Sequence, residues 1–548
     1  MRNNRFITIL SSILLFTTMT SCNQKKKADL LIYNAIVYTV NENFDIESAI
    51  VVKDGKIVAV GNDQDLLNRF TAKKKLDAGG RPVYPGFNDG HSHFLSYGLT
   101  KITNVDLVGT KSFDEVVDRV IEHYNLFPSE WVLGRGWDQN DWKVEEFPTK
   151  KKLDEAFPDV PVVLRRIDGH ALIANTEAMR RAGIDYKSMM PGGEILLNDK
   201  HEPTGVFIDN AMNLIERVIP EPTRDQKIAA LKKAQNDCFA VGLTTVTDAG
   251  LDKADILLMD SLQKAGELKM RIYAMMNPNG ENYDYFLPQG PWHTGRLTVS
   301  SIKIYADGAL GSRGALLLKP YSDAPGHYGL QLHSLSYYDF VAKKAFDAGF
   351  QVCTHAIGDS GNRIILKTYA KYLKGPNDRR WRVEHAQVVD PGDFHYFKDY
   401  NIIPSVQTTH CTSDMYWAEE RLGKERIKTA YAYKELLEQN GWLINGTDFP
   451  VEGISPLKTF YAAVARKDLE GWPEGGFQME NALTRKEALR SITIWPAKGS
   501  FDENQKGSIE PGKVADLVIL EKDIMQIPES DIPRTKVFST ILNGEIVY

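Results

Sequence analysis

Cysteine is scarce: the 548 residues hold four, Cys22, Cys238, Cys353 and Cys411. Thiols so few and so scattered exclude a disulfide framework, and the last three are expected to be small buried packing residues. An excess of one charge sign is also missing. A formal net charge of -6 over this length offers no basic surface for nucleic acid or for an anionic membrane face. After the N-terminal stretch no apolar run is long enough to span a bilayer, and the chain has neither an internal repeat nor a long low-complexity tract. What is present, 43% hydrophobic and 25% charged residues, is ordinary globular composition. The length predicts one large domain with additions, or two to three units.

The N-terminus has its own pattern. Arg2 and Arg5 form a basic start, Phe6 to Met19 an apolar and hydroxyl-rich run, and Met19-Thr-Ser-Cys22 a small-residue cleavage site. This resembles a bacterial lipoprotein signal, which implies a signal peptide over 1–21, lipidation of Cys22 and a basic tether over 22–27. The expected location is the cell envelope, as a periplasmic or outer-membrane lipoprotein whose only membrane contact is the lipid.

Residues 28–83 and 505–548 read as short β-runs with tight turns. Asp54-Gly55 and Asn543-Gly544 carry positive-φ turn chemistry. Neither piece buries enough apolar surface alone, so the two are expected to form one composite β-sandwich. Between them, over 84–504, β-runs alternate with helical patterns such as 223–240 and 337–348. Eight strands are predicted: Tyr84 to His93, Leu243 to Asp248, Met270 to Met276, Ser301 to Asp307, Gln351 to His355, Trp381 to His385, Ile402 to Gln407 and Trp442 to Asp448. The expected fold is therefore α/β, a (β/α)8 TIM-like barrel. Pro404 is awkward inside a central strand and predicts a bulge or an irregular barrel there. Residues 100–221 break the strand–helix rhythm and read as an insertion after the first strand, covering the pocket as a lid subdomain.

His91 and His93 lie two apart at the end of an apolar run, so both imidazoles share one strand face and can converge on one metal ion. Asp89 is placed to hold one of them in its tautomer. The other strand ends contribute Lys303, His355, His385 and Asp448. Polar groups at the C-terminal ends of barrel strands meet in one pocket, so this set is expected to bind metal.

At these residues the chain resembles the amidohydrolase superfamily, in its family 3 or YtcJ-like branch that includes N-substituted formamide deformylase. The resemblance rests on Pro85-Gly-Phe-Asn-Asp-Gly-His-Ser-His93, Asp168-Gly-His170, Gly242 to Gly250, Ile302 to Gly308, Thr354 to Asp359, Val383-Glu-His385, Gly446-Thr-Asp-Phe-Pro450 and Ile509 to Leu517. It implies His91 and His93 as ligands of a buried divalent metal, His355 and His385 of a more exposed one, and Asp448 as shared ligand and proton shuttle. Zinc is the expected ion, as one or two per chain. An ammonium beside cations is repelled, so Lys303 is expected either as a carboxylated, metal-bridging side chain or as a charged lysine beside a single metal.

The implied activity is hydrolysis of a non-peptide C–N bond, an amide or N-substituted formamide, of a small molecule by metal-activated water. Deamination, and lactone or ester hydrolysis, are the alternatives on the same centre. Gly358 stands three residues after His355, where deaminases of the superfamily often carry glutamate, and this disfavours deamination. A ligand-capturing lipoprotein without turnover is the alternative from another class. For substrate contacts the expectations are Asp168 and His170, which could instead order their loop; Trp137 in an aromatic lid or a packed insertion core; Arg313 on a substrate carboxylate; and Gln407 and His410 as pocket lining. Homodimerisation stays open.

Overall fold

The computed structural model describes residues 25–185 and 187–548; Cys22 and the signal stretch fall outside the described residues. Among the described residues, no helix is long and apolar enough to cross a membrane, and Cys238, Cys353 and Cys411 are free and buried.

Two small sheets join the chain ends. Strands Lys26–Tyr33, Ala49–Lys53, Lys56–Gly61 and Phe70–Asp77 form one. In the other, Pro82–Pro85 pairs antiparallel with Leu517–Leu520, which pairs in turn with Val537–Leu542. One apolar core, including Ile32, Ile50, Val83, Leu517, Ile519 and Ile541, fills the space between them. Both expected hairpin turns have two consecutive positive-φ residues, Asp54-Gly55 and Asn543-Gly544, the geometry that suits the right-handed twist of paired strands.

The barrel contains eight parallel strands in sequence order: Phe87–Ser92, Leu243–Leu251, Arg271–Met276, Leu297–Tyr305, Gln351–Ala356, Arg382–His385, Ile403–Val406 and Ile444–Asn445. The first run divides at Gly86: Tyr84 and Pro85 sit in the sandwich sheet, and the barrel strand starts at Phe87. Pro404 does not make the expected bulge; it pairs with Val383 in an unshifted parallel register. The first and last strands are tied by His93 N–H to Phe449 O (2.9 Å) and Asp448 N–H to His91 O (2.8 Å). This close approach explains Gly446, where a Cβ would run into the His91 backbone. Barrel closure and metal-site geometry thus depend on the same residues.

After the first strand, helix Phe94–Thr103 packs on helix Arg224–Ala240, whose start carries a full capping box from Thr223 and Gln226. The insertion between them forms its own six-stranded sheet, ordered Gly193–Leu197, Pro203–Asp209, Ala171–Ala174, Val162–Arg166, Val132–Trp137 and Val105–Asp106. Separate apolar clusters cover its two faces.

Candidate metal centre

His91 is fully buried. Its Nδ1 lies 2.6 Å from Glu384 Oε2, and since a carboxylate only accepts, the proton sits on Nδ1 and the Nε2 lone pair is free. Burial, with the charge of nearby Lys303, pulls the His91 pKa down to about 4. His93 is oriented differently, with Nδ1 donating to Ala249 O at 3.1 Å. Both Nε2 atoms face Asp448 Oδ1, at 3.7 Å from His91 and 3.3 Å from His93.

Glu384 is held in turn by Arg382, whose Nε lies 2.7 Å from Oε1 and whose Nη2 donates to Gly90 O (2.6 Å) and Ser405 Oγ (2.8 Å). All of this is buried. Burial opposes the Glu384 charge, but Arg382 and His91 overcome it and hold the carboxyl well below the usual range. Asp89 does not have the expected role. It accepts from Thr447 N–H (3.0 Å), Thr447 Oγ1 (2.6 Å) and His91 N–H (3.1 Å), so it fastens the eighth strand to the first, and Glu384 orients the imidazole instead.

Among the described residues, two groups converge closely enough for a metal ion: His91, His93 and Asp448, and His385, His410 and Asp448. The donor chemistry fits a divalent cation. His385 Nδ1, His410 Nε2 and Asp448 Oδ1 are buried without hydrogen-bond partners, a costly state that a cation relieves. Burial lowers the pKa of His385 well below the ordinary value, with His355 adding to the effect, so its lone pair is available at neutral pH. Burial works against a charge on Asp448 too, yet His93 and the neighbouring His91 and His385 imidazoles hold its pKa well below the ordinary value. His385 (φ 72°), Ala386 (φ 43°) and Asp448 (φ 58°) all adopt left-handed backbone, strain that tends to concentrate where side chains are aimed for function.

The expected six ligands are brought into one neighbourhood, with two differences in detail. The His355 ring lies 4.5 Å from that of His385, but its Nε2 faces Gly308 O (3.4 Å) and Asp307 Oδ1 (3.8 Å), outside both convergent groups. His410, expected only as lining, is in one of them. Lys303 is buried with its Nζ 3.3 Å from His91 Nε2 and 4.8 Å from the Tyr305 ring centre. Burial lowers its pKa.

The model of the amidohydrolase family matches residues 74–548. The chain belongs to the amidohydrolase family. It is similar to YtcJ of Bacillus subtilis, provisionally named an amidohydrolase, at 31% identity over 94% of this chain and 98% of the relative. It is similar to N-substituted formamide deformylase of Arthrobacter pascens at 27% identity, over 95% and 98%. A crystal structure of a metal-dependent hydrolase from Pyrococcus horikoshii superposes with TM-score 0.75 at 28% identity, covering 91% of this chain and 99% of that one. This amidohydrolase is thus a metal-dependent hydrolase with a (β/α)8 barrel and added sheets.

Above the histidines lies a cavity of about 450 Å³, the size of a small-molecule site. Asp168, His170 and His410 line it. His170 Nδ1 donates to Asp209 Oδ1 at 2.7 Å, and its ring lies 4.9 Å from that of His355. Burial opposes a charge on His170, but Asp209 and Asp168 more than offset it and raise its pKa.

Three expected substrate contacts are elsewhere. Trp137 is fully buried in the insertion core, its Nε1 donating to Leu164 O; the register shift between Arg135 and Trp137, at Gly136 (φ 115°), breaks the strand's alternation and turns it to the apolar face. Arg313 pairs with Asp323 at 2.7 Å and does not line the cavity. Gln407 is also buried outside the lining, its Nε2 on Ser405 O. Sequence reasoning missed Glu384, although it stands inside the quoted Val383-Glu-His385; a carboxylate next to a ligand histidine was the signal. Asp209 gave no local signal at all.

Proposed function

We propose that this amidohydrolase cleaves an amide or N-substituted formamide C–N bond of a small molecule. The observation that carries the reading is the buried Asp448 carboxylate, unpartnered at Oδ1 and facing the free Nε2 atoms of His91 and His93. The relative named for formamide deformylation supports it. His91, His93, His385 and Asp448, with His355 and Lys303 beside them, would hold one or two divalent ions, with zinc as the proposed metal. When bound, such an ion acidifies water to a pKa of about 7 and polarises the carbonyl.

Asp448 takes the proton from the attacking water and returns it to the leaving nitrogen, because an amide anion leaves poorly. Glu384 keeps the His91 proton on Nδ1, so Nε2 stays a donor of electron pairs. Lys303 is proposed to be carboxylated. A free amine 3.3 Å from His91 Nε2 would compete for the lone pair a cation needs, whereas a carbamate supplies anionic oxygen.

A screen of N-formyl, N-acyl and cyclic amides with metal-loaded protein tests the reaction; new carboxylate plus amine is expected, and ammonia release without acid would replace the reading by deamination. Asp448→Asn should lower kcat by about 10²–10⁴-fold with an unchanged circular dichroism spectrum. Anchoring in the cell envelope through Cys22 is proposed from the lipoprotein-like N-terminus; fatty-acid labelling of the intact chain but not of Cys22→Ala is the expected result.

A further inference from the structure

Among the arginines of the cavity wall, Arg135 lacks a counter-charge from the described residues. Three arginines of the insertion line the cavity: Arg135, Arg165 and Arg166. Arg166 is buried between Asp138 and Asp168, and Arg165 pairs with Glu216. Arg135 has no carboxylate within ion-pair distance among the described residues, although it is only 9% exposed. Its Nη2 donates to Ile167 O at 2.9 Å, and its Nε is buried with no partner.

A guanidinium does not escape this cost by losing its proton under ordinary conditions. Burial and the charge of Arg165, its register partner on the neighbouring strand, pull the Arg135 pKa only down to about 10. A buried charge left unpaired is strongly unfavourable unless a ligand completes it. The surroundings also restrict which ligand. Asp138, Asp168, Asp209, Asp414, Asp448 and Glu452 share the cavity lining, so a dianion such as a phosphate ester meets repulsion. A planar monoanion matches the guanidinium fork.

From this we infer that Arg135 binds a carboxylate of the substrate, so the molecules hydrolysed are amides that carry a carboxylate, of the N-formyl or N-acyl amino-acid type. The inference rests on the proposed amide hydrolysis for its reaction: water oxygen bonds to the carbonyl carbon, the C–N bond breaks, and the proton passes to nitrogen. The carboxylate on Arg135 takes no part in these steps. It replaces Arg313 as the residue expected to hold a substrate anion.

Binding can be tested without turnover, using metal-loaded full chain and two probes with no hydrolysable bond, 4-phenylbutyrate and the neutral 4-phenylbutanol, by titration calorimetry. The carboxylate is expected to bind ~10–100-fold more tightly. Arg135→Gln should reduce that preference to within about threefold, and Arg135→Lys, which keeps charge but loses the planar fork, should give an intermediate value. No preference in the unaltered protein overturns the inference. So does a preference kept in full by Arg135→Gln, which would place the carboxylate on the metal centre. Should Arg135→Gln not fold, an undiminished preference in Arg135→Lys overturns it equally. Turnover is measured separately with N-formylphenylalanine and N-formylphenethylamine. Hydrolysis of neither would defeat the amide reading while the calorimetry still decides the role of Arg135.

Discussion

Two buried arginines, one beneath the barrel histidines and one in the insertion wall, are placed in opposite circumstances. Arg382 is charge-paired: Glu384 lies 2.7 Å from its Nε, and Glu384, Gly90 O and Ser405 Oγ accept from its Nη2, and the ensemble fixes His91. Arg135 is left open toward the cavity. The floor of the pocket is therefore a buried, charge-balanced network, as a centre needing fixed ligand geometry requires. The wall is borne on a separate sheet with its own cores, so substrate choice can change there without disturbing the chemistry.

The sharpest way to break this contrast is to open the floor. Glu384→Gln leaves Arg382 buried without its counter-charge and should cost about 3–5 kcal/mol in stability, read by denaturant unfolding. The same variant should lose about 10–100-fold in metal affinity, because His91 loses its orienting carboxylate. Equal losses from a neutral change in the wall would erase the distinction.

Acid should act on the floor as well. In metal-free protein, His91 is held near pKa 4 in the fold, against about 6.5 in the unfolded chain. As pH falls from 6.5 to 4 the unfolded chain gains a proton that the folded state refuses, so stability declines over that window and is greater above it. The gap between these two values bounds this loss at roughly 3 kcal/mol. Glu384 adds loss in the same direction, since its depressed pKa contributes stability that vanishes as the pH drops below the ordinary carboxylate range. Thermal unfolding at stepped pH, compared with His91→Asn, should show a shallower slope in the variant.

The smallest effect is expected at Arg313, which pairs with Asp323 away from the cavity. Arg313→Ala should change stability by only about 0.2–1 kcal/mol and leave kcat/KM within about twofold on any substrate found. A tenfold loss would return Arg313 to substrate binding and weaken the contrast between an open wall and a closed floor.

Much of the architecture follows from local pattern. The eight β-runs, the Asn-Gly and Asp-Gly turns and the capped helices are consequences of residue order within a few positions. Placing His91 and His93 on one strand face needs only the two-residue period, and grouping them with Lys303, His355, His385 and Asp448 needs only the rule that barrel strand ends share a mouth.

Tertiary structure decided the rest, because the partners lie far apart in the chain. Glu384 reaches His91 across 293 positions. Asp89, an obvious neighbour of the His-x-His pair, is taken by Thr447. Trp137 and Arg135 are two residues apart, yet one is packed in the insertion core and the other lines the cavity. The sequence by itself determined which groups could bind a metal and share a strand end. Whether a given charge is already paired is settled only by which residues the fold brings within a few ångströms, and that separates Arg313, whose charge is balanced by Asp323, from Arg135, which lines the cavity without such a partner among the described residues.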